Sequence, residues 1–523
     1  MVCPPLICTC TCTCRYLFNC GEGTQRLTAQ LGLSRALSQL EHVFVTRNCW
    51  ANLGGLPGMC LSARSSGAPD VTVHGAPGCM ELYHASKAFL LLFEFDVLEH
   101  KLEDGPFQDG AVEVRSVVLE REAPTASPAV PTEWEGLLEA ERREGGIVYQ
   151  DTAIAFVCSF SPKPGRLDFG ACVELGVPPG PLLGRLKAGQ DVTLPDGTVV
   201  RATQVVGEAA PPAAYMVVDV PDELYLPALA AAAELQEVDH LHTVFHFSPP
   251  EVMAEPQYRA WMAELGPSVS HVLINSGSTD LGLPDVSVHQ HKLRRIRPDL
   301  FPALAGAGDF GGSPAELAAA LDRRPALGLP GTGPVLQART GMRVNVRPWG
   351  EGGPDLAMVQ AVTREAAVGE LELGCPKLPE EGRQAYREGM REDLLYASTF
   401  HPDPLATLAS RLKAIEGVEE EAAAEAAEVT EFPAVTMLGT GSSVPSKYRN
   451  VTGILVEVEE GVHVVLDCGE GTLGQLVRLR GYQGALQVLR GLRAVYVSHQ
   501  HADHHLGLVN LILVRLSLNH LII

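Results

Sequence analysis

The feature that most constrains this chain is a histidine-rich loop near its carboxyl end. Residues 498–508 read SHQHADHHLGL, and they follow an apolar alternation over 492–497. Alternating apolar residues are typical of a strand with a buried face, so we expect a buried strand that delivers its last residues to this loop. Because side chains two positions apart point the same way in an extended segment, His499 and His501 can converge on one cation.

Two further donors follow in the same loop. Asp503 and His504 are placed to face a second cation. Imidazole nitrogens and carboxylate oxygens suit zinc, and a catalytic zinc site also needs donors from elsewhere and an open position for water. The alternative is a surface cluster of histidines without metal. The full HxHxDH spacing, after a strand and before Gly-Leu, favours the metal site.

An internal repeat links this region to the amino end of the chain. Residues 16–24 (YLFNCGEGT) echo residues 464–472 (VVLDCGEGT), and residues 43–46 (VFVT) echo residues 495–498 (VYVS). Both copies predict strand, loop and helix. The alternative, chance similarity between two glycine-rich turns, must also explain the shared strand.

The repeat predicts that the first copy has lost the metal motif. Four residues stand opposite the four candidate donors, in chain order: Arg47, Cys49, Ala51 and Asn52. A guanidinium and a methyl group cannot ligate zinc, and Cys49 cannot hold the ion alone. The first copy is therefore expected to keep the fold and to lack the site.

Several segments together resemble a known family. HxHxDH is the signature of the metallo-β-lactamase fold. The segments 435–445 (VTMLGTGSSVP), 449–451 (RNV) and 466–472 (LDCGEGT) resemble the opening of tRNase Z. With a long region upstream, the chain resembles the long form, also called the ELAC zinc phosphodiesterase. The resemblance implies an α/β metallo-β-lactamase fold, an αββα sandwich, with a degenerate amino-terminal copy followed by an incomplete carboxyl-terminal copy.

The resemblance also implies a function. It is a zinc-dependent endoribonuclease that removes 3′ trailers from precursor tRNA, through attack of a metal-bound hydroxide on a phosphodiester. The family uses two zinc ions, for which His499, His501, Asp503 and His504 match the first ligands, and Asp503 is also the candidate catalytic residue that orients the water. The family's later ligands lie downstream, whereas residue 523 stands nineteen positions after His504. We therefore expect an incomplete ligand set and impaired activity.

Two other functions are compatible with the same residues. One is a non-catalytic RNA-binding fragment, because the first copy lacks donors and the second is incomplete. The other is a different metallo-β-lactamase hydrolase that acts on thioesters or lactams, which HxHxDH alone does not exclude.

The domains expected from these patterns are a degenerate domain at 1–345, a helical and acidic linker at 346–431, and the start of the catalytic domain at 432–523. Within the first, residues 160–200 resemble the Gly-Pro-containing arm with which tRNase Z enzymes clamp the tRNA elbow. Pro179-Gly180-Pro181 predicts a rigid turn rather than a helix, and residues 192–200 predict a hairpin that extends the sheet. The alternative is an ordinary solvated loop. The candidate tRNA-binding residues are Lys163, Arg166, Gly180, Pro181, Arg185 and Lys187.

Composition limits the partners. The formal net charge of −23 means that contacts with RNA must come from local basic patches. Six of thirteen cysteines lie in the first twenty residues and the rest are scattered, so a disulfide framework is not expected and a reducing, intracellular compartment is. No apolar run long enough for a bilayer and no clear targeting peptide is visible, so we expect no membrane partner. By resemblance the compartment is the nucleus, the mitochondrion or both, and two copies in one chain make an oligomer unnecessary.

Overall fold

The structure is a computed structural model that describes nine continuous segments, residue 165 and a few isolated positions between 283 and 346. The segments are 7–9, 15–33, 36–87, 95–122, 152–160, 167–207, 212–275, 331–338 and 432–520. The predicted linker lies outside the described residues apart from residue 346, so the domain boundaries stay a prediction. Within the described segments, no helix is both long enough and apolar enough to cross a membrane.

The amino-terminal half begins with a five-stranded sheet. Its strands, in both spatial and chain order, are β1 (Ile7–Thr9), β2 (Tyr16–Phe18), β3 (His42–Phe44), β4 (Val71–His74) and β5 (Val97–His100). β1 is antiparallel to β2, and the other pairs are parallel. The helices between these strands are α1 (Thr24–Gln30), α2 (Trp50–Leu53), α3 (Leu56–Ser65) and α4 (Cys79–Lys87).

Further strands of this half are β6 (Phe107–Gln108), β7 (Val112–Glu120), β8 (Thr152–Phe160), β9 (Val192–Thr193), β10 (Val199–Val200), β11 (Ala213–Val218), β12 (Leu241–His246), β13 (Ser270–Leu273) and β14 (Val335–Gln337). Seven of them form a second sheet in the order β14-β13-β12-β11-β8-β7-β6. The steps from β11 to β14 are parallel, and those from β6 through β8 to β11 are antiparallel. β9 and β10 pair only with each other in the described chain, so the expectation that this hairpin extends the main sheet is wrong.

The hairpin instead belongs to a small arm between β8 and β11. The arm also holds α5 (Phe169–Glu174), α6 (Pro181–Lys187) and α7 (Ala202–Val205), packed around their own apolar core. Pro179 and Gly180 form a bend, but a helix begins directly at Pro181, which corrects the prediction of a turn without a helix. Proline is favoured in the first helical turn, where its missing N–H costs nothing.

The two large sheets face each other and helices cover their outer sides. Aromatic rings fill the space between the sheets, among them Phe18, Phe44, Phe156 and Tyr215. The second sheet is covered by α8 (Leu226–Ala231), α9 (Ala233–Gln236), α10 (Pro250–Met253) and α11 (Pro256–Glu264). Short 3₁₀ helices occupy Ala36–Gln39, Leu102–Asp104 and Glu223–Tyr225. This is the αββα sandwich that the sequence predicts for the first copy.

The carboxyl-terminal half repeats the first layers. Its sheet runs β15 (Ala434–Gly439), β16 (Gly453–Glu459), β17 (Val462–Cys468) and β18 (Leu492–Tyr496), antiparallel except for the parallel β17–β18 pair. The helices are α12 (Thr472–Gly491, broken at Gly481), α13 (Ala502–His505) and α14 (Leu508–His520). β17, α12 and β18 repeat β2, α1 and β3 at the positions that the sequence repeat predicts.

One face of this sheet packs on α12 and α14, and the opposite face is open to solvent. Val435, Met437 and Tyr496 are 59%, 61% and 61% exposed. The expectation of a buried strand at 492–497 is therefore wrong. Apolar alternation shows which face a second layer could cover, and in the described residues no second sheet packs there.

Candidate metal centre

The HxHxDH loop starts where β18 ends. Leu466 of β17 pairs with Tyr496 of β18, and because the two strands are parallel they end at the same edge of the sheet. The residue after Leu466 therefore lies beside the start of the loop. That residue is Asp467, whose φ of +56° places it in the left-handed region that aspartate tolerates better than most residues.

Asp467 anchors the loop with its carboxylate. Its Oδ1 accepts the Ser498 N–H at 2.7 Å, and its Oδ2 accepts the Ser498 hydroxyl at 2.9 Å and Nδ1–H of His504 at 2.7 Å. Burial alone would raise the pKa of Asp467, but the bonds from Ser498 and His504 together lower it below its ordinary value. Sequence reasoning assigned Asp467 only to a turn, although an acidic residue at the end of the strand that neighbours the motif strand was the available signal.

The bond to Asp467 decides which nitrogen of His504 is available. With Nδ1 engaged, Nε2 is free to bind a cation and lies 3.5 Å from Oδ2 of Asp503. Asp503 is buried, and its Oδ2 accepts the backbone N–H of Ser443 at 2.8 Å. The bond from His504 to Asp467 is an arrangement common among metal-binding histidines, in which a carboxylate on the second ring nitrogen orients the ring. Sequence reasoning missed Ser443 because a backbone N–H leaves no signature in residue type.

The other two histidines form a second close pair. Nε2 of His499 lies 3.0 Å from Nδ1 of His501, and the rings of His499 and His504 are 4.0 Å apart between centroids. Two donors on one tetrahedral zinc ion, with bonds of about 2.0–2.1 Å, are roughly 3.3 Å apart. Both observed pairs are close to that spacing.

The four donors fit zinc as two pairs, and each pair needs further ligands. In the described parts of the chain, no three histidine, cysteine, aspartate or glutamate side chains are arranged to hold one metal ion together. Nitrogen and carboxylate oxygen are donors that zinc accepts. Ligation of zinc by His499, His501, Asp503 and His504 thus stays a prediction that the geometry accommodates.

Glycines let the turn after β17 pack directly against the loop. A Cβ on Gly469 would lie 2.2 Å from the carbonyl oxygen of Asp503, and a Cβ on Gly507 would lie 2.3 Å from that of Gly469. No real Cβ approaches backbone oxygen so closely, so any other residue would displace the loop. The G-E-G of the turn and the Gly-Leu after HxHxDH are the sequence traces of this contact.

The first copy keeps the scaffold of this centre. Asn19, at the position of Asp467, has φ of +59°, and its Oδ1 accepts the N–H of Thr46 at 2.9 Å. Thr46 stands at the position of Ser498. Asn52, at the position of His504, donates to the Thr46 hydroxyl at 2.9 Å. The left-handed residue and its bond to the next strand are thus retained without any metal donor.

In the first copy an ion pair stands at the start of the loop that corresponds to HxHxDH. Nε of Arg47, at the position of His499, donates to Oδ2 of Asp219 at 2.8 Å, and the same oxygen accepts from Thr46 at 2.7 Å and from Asn52 at 3.2 Å. Asp219 follows β11 and its side chain is 1% exposed. A permanently charged guanidinium thus meets the buried carboxylate, and no ion is needed for charge balance. Sequence reasoning predicted the loss of donors but missed Asp219.

The arm presents only part of its candidate tRNA contacts in the described chain. Gly180 has φ of +144° and precedes Pro181, where α6 begins. Arg185 and Lys187 are exposed in the last turn of this helix. Lys163 and Arg166 lie outside the described residues. The four arm residues that the structure describes make no contact with the HxHxDH loop, and the role of all six stays a prediction.

Comparisons with known proteins match both ends of the chain. The family model described as tRNase Z endonuclease matches residues 3–55, and the model described as anti-Pycsar protein Apyc1 matches residues 433–518. Mitochondrial ribonuclease Z of Drosophila melanogaster is 32% identical over 96% of this chain and 60% of its own length. Zinc phosphodiesterase ELAC protein 2 of Macaca fascicularis is 30% identical over 96% of this chain and 58% of its own length.

A solved structure gives the same result for the fold. The crystal structure of a long-form RNase Z from yeast superposes with a TM-score of 0.61 at 18% identity, covering 97% of this chain and 65% of that one. The duplicated strands, the αββα sandwich and the loop between β18 and α13 define a protein of the metallo-β-lactamase fold class. Within that class the chain is similar to long-form ribonuclease Z proteins, to which it is up to 32% identical over 96% of its own length. It spans about three fifths of the length of the curated relatives that it matches.

Proposed function

We propose that this chain carries part of the centre of a zinc-dependent endoribonuclease that removes 3′ trailers from precursor tRNA. The observation that carries the proposal is the convergence of His499, His501, Asp503 and His504 at the edge of one sheet, with His504 oriented by Asp467. The names of the relatives, ribonuclease Z and zinc phosphodiesterase, support this chemistry over hydrolysis of thioesters or lactams.

The donors named above would hold the metal. Zinc, when bound, makes a water molecule a better nucleophile at neutral pH and offsets the charge of the phosphodiester. Asp503 is the proposed proton acceptor for that water. Its Oδ2 is held by the N–H of Ser443, so the carboxylate is fixed before substrate binds. A fixed carboxylate needs no reorganisation during the reaction.

The arm would bind the body of the tRNA. Because the chain carries a net charge of −23, phosphate contacts must be local, and Arg185 and Lys187 place two positive charges on an exposed helix end. Gly180 and Pro181 set the start of that helix. Lys163 and Arg166 are proposed as further contacts from the sequence alone.

One observation favours a second function for this chain by itself. Since no three donors among the described residues surround one point, tRNA binding without cleavage is the alternative. On that basis we expect zinc affinity and turnover to be low.

A combined binding and cleavage assay separates these functions. Purified chain is incubated with a labelled precursor tRNA, with and without zinc, and analysed both by gel shift and for a product with a 3′ hydroxyl. Cleavage that needs zinc, is lost in Asp503→Asn and survives in Gln500→Ala, an exposed non-donor in the same loop, supports the nuclease. Binding without cleavage supports the alternative. Neither binding nor cleavage, or hydrolysis of a thioester or lactam instead, overturns both.

We also propose a mitochondrial location. Of the two compartments that the family resemblance suggests, the name of the Drosophila melanogaster relative supports this one. A fluorescent fusion of the protein in its own cells tests the proposal, and a purely nuclear signal would contradict it.

A further inference from the structure

The two duplicated turns meet where the halves of the molecule touch. Glu22 and Glu470 occupy equivalent positions in them, in the two copies of the CGEGT sequence. Oε1 of Glu22 accepts the N–H of Gly471 at 2.6 Å, and Oε1 of Glu470 accepts the N–H of Gly23 at 2.7 Å. Each glutamate therefore binds the residue that follows its own counterpart. Such reciprocity is the mark of a two-fold interface, here within one chain.

The second oxygen of each carboxyl is enclosed. Oε2 of Glu22 and Oε2 of Glu470 are both shut off from solvent, and neither has a hydrogen-bond partner in the described chain. Packing around Glu470 is tight, because a Cβ on Gly58 would lie 2.1 Å from its Oε2. An ionised oxygen in such a place would lack both water and a donor, which is costly. A protonated carboxyl avoids most of that cost.

The electrostatic surroundings point the same way. Burial raises the pKa of Glu22 to about 7 and that of Glu470 to about 8, and the glycine N–H groups and the nearby side chain of Asn510 oppose this rise only in part. Among the described residues, the titratable groups that interact electrostatically with each glutamate are the other glutamate and a buried thiol, Cys20 for Glu470 and Cys468 for Glu22. None of these is a cation.

A nearby cation has other partners. Arg26 of α1 reaches across the same contact, where Nε donates to the carbonyl of Ser446 at 3.0 Å and Nη1 donates to Gln475 at 2.7 Å. Its further bond, to the side chain of Asn450, is 3.4 Å long. The arginine thus ties the halves together independently of the two glutamates.

We propose that Glu22 and Glu470 form a reciprocal lock between the two halves, and that through it the degenerate half positions the turn that carries Asp467. The lock is tightest when both carboxyls are protonated, so it loosens as pH rises. Glu22 is then a positioning residue: it holds Gly471, four residues beyond the carboxylate that orients His504. The effect on the metal centre rests on the proposed function, whereas the docking of the halves does not.

The sign of the pH effect follows from proton binding. In the unfolded chain a glutamate releases its proton near pH 4.5, and in the folded chain these two release theirs near 7 and 8. Between pH 4.5 and these higher values the folded state binds more protons than the unfolded state. The free energy of unfolding therefore decreases as pH rises through that range. At higher pH the loss is complete.

Thermal unfolding of the full chain at pH 5.5 and pH 8.5 tests the lock. Glutamine keeps the acceptor oxygen and is neutral at both pH values, whereas alanine removes the bond. From pH 5.5 to pH 8.5, the midpoint temperature of unfolding should decrease more in the wild type than in the double variant Glu22→Gln, Glu470→Gln. We expect the difference to be at least about 4 °C. Glu22→Ala and Glu470→Ala should lower the midpoint at pH 5.5 by similar amounts, and the glutamine variants should not.

The control is Glu103→Gln, a carboxyl that is 77% exposed, which should match the wild type at both pH values. An equal pH response in the wild type and the double glutamine variant would overturn the lock. So would glutamine variants as unstable as the alanine variants at pH 5.5.

Zinc binding tests the positioning role separately. We expect Glu22→Ala to weaken zinc binding several-fold in competition with a chromogenic chelator, and Glu22→Gln to restore it. If the wild type binds zinc and Glu22→Ala leaves the affinity unchanged, the positioning role is wrong. If the wild type binds no zinc, the proposed metal centre fails, and the unfolding measurements still decide the lock.

Discussion

The two halves of this molecule build the same turn, but only the second half carries candidate metal donors next to it. In each, a residue with a left-handed backbone at the end of one strand accepts the N–H of a hydroxyl residue that follows the parallel neighbouring strand. The pairs are Asn19 with Thr46 at 2.9 Å, and Asp467 with Ser498 at 2.7 Å. The side chains next to this hydrogen bond differ between the two halves. In the first half Arg47 and Asp219 close the space, and in the second the HxHxDH donors face it.

This difference separates the residues that fold the turn from the candidate metal donors. The left-handed position and the hydroxyl residue occur in both halves. So does one close glycine contact, because a Cβ on Gly55 would meet the carbonyl oxygen of Gly21 as one on Gly507 would meet that of Gly469. These features are therefore requirements of the fold. The donors occur in one half only. A guanidinium paired with a buried carboxylate can replace them without disturbing the turn, because it supplies fixed positive charge at the same edge of the sheet.

The sheets that carry the two turns also differ in cover. Phe44 of β3 is 1% exposed and packs against rings of the facing sheet, whereas Tyr496, its counterpart in β18, is 61% exposed. Equivalent positions in one fold thus have very different surroundings. The largest test of the comparison follows from this pair.

Truncating the two counterparts should have very unequal effects. Phe44→Ala removes a fully buried ring and should cost about 3–5 kcal/mol of the free energy of unfolding of the first half. Tyr496→Ala removes a mostly exposed ring and should cost within about 1 kcal/mol. Urea unfolding followed by circular dichroism measures both. A comparable cost for Tyr496 would mean that its face is covered in solution and that the contrast between the sheets is wrong.

The next test breaks the ion pair that closes the first half. Asp219→Ala leaves the partly buried charge of Arg47 without its partner and removes the acceptor for Thr46 and Asn52. The loss of a buried partner costs about 3–5 kcal/mol. Glu103→Ala is the control, since its pair with Lys101 is exposed and should be worth less than about 1 kcal/mol. If the two variants unfold at the same urea concentration, Asp219 does not stabilise the loop of the first copy.

Sequence alone could give the turn, the positions of the candidate donors and the repeat, because each motif consists of residues close together along the chain. It could not give Asp219, which is brought to Arg47 from 172 positions away. Nor could it give the N–H of Ser443 or the exposure of Tyr496. Any residue supplies a backbone N–H, and an alternating pattern marks a face that can be covered without showing whether anything covers it. The prediction that the hairpin of the arm extends the main sheet failed for a related reason. The sequence shows that the hairpin has apolar residues, but not that they pack in a separate core within the arm.

The finest test exchanges the residue that distinguishes the two turns. Asp467→Asn makes the second turn resemble the first, where the amide of Asn19 suffices because Thr46 accepts from it at 3.0 Å. In the second turn the same change offers one acceptor oxygen to donors from both Ser498 and His504, so the imidazole loses its fixed orientation. Since the pKa of Asp467 is lowered, the wild-type carboxylate stays ionised below the pH at which an ordinary aspartate is protonated, and the bond should weaken only in stronger acid.

We expect Asp467→Asn to lower zinc affinity about 10–100-fold, as for other carboxylates behind a ligating histidine, with a much smaller change in stability. Competition with a chromogenic chelator near neutral pH measures the first, and urea unfolding measures the second. Asp196→Asn, in the hairpin of the arm, is the control because its exposed carboxylate bonds only within its own turn. Unchanged zinc affinity in Asp467→Asn would reduce Asp467 to the structural part that Asn19 plays, and the two turns would then differ only in the residues of the loop itself.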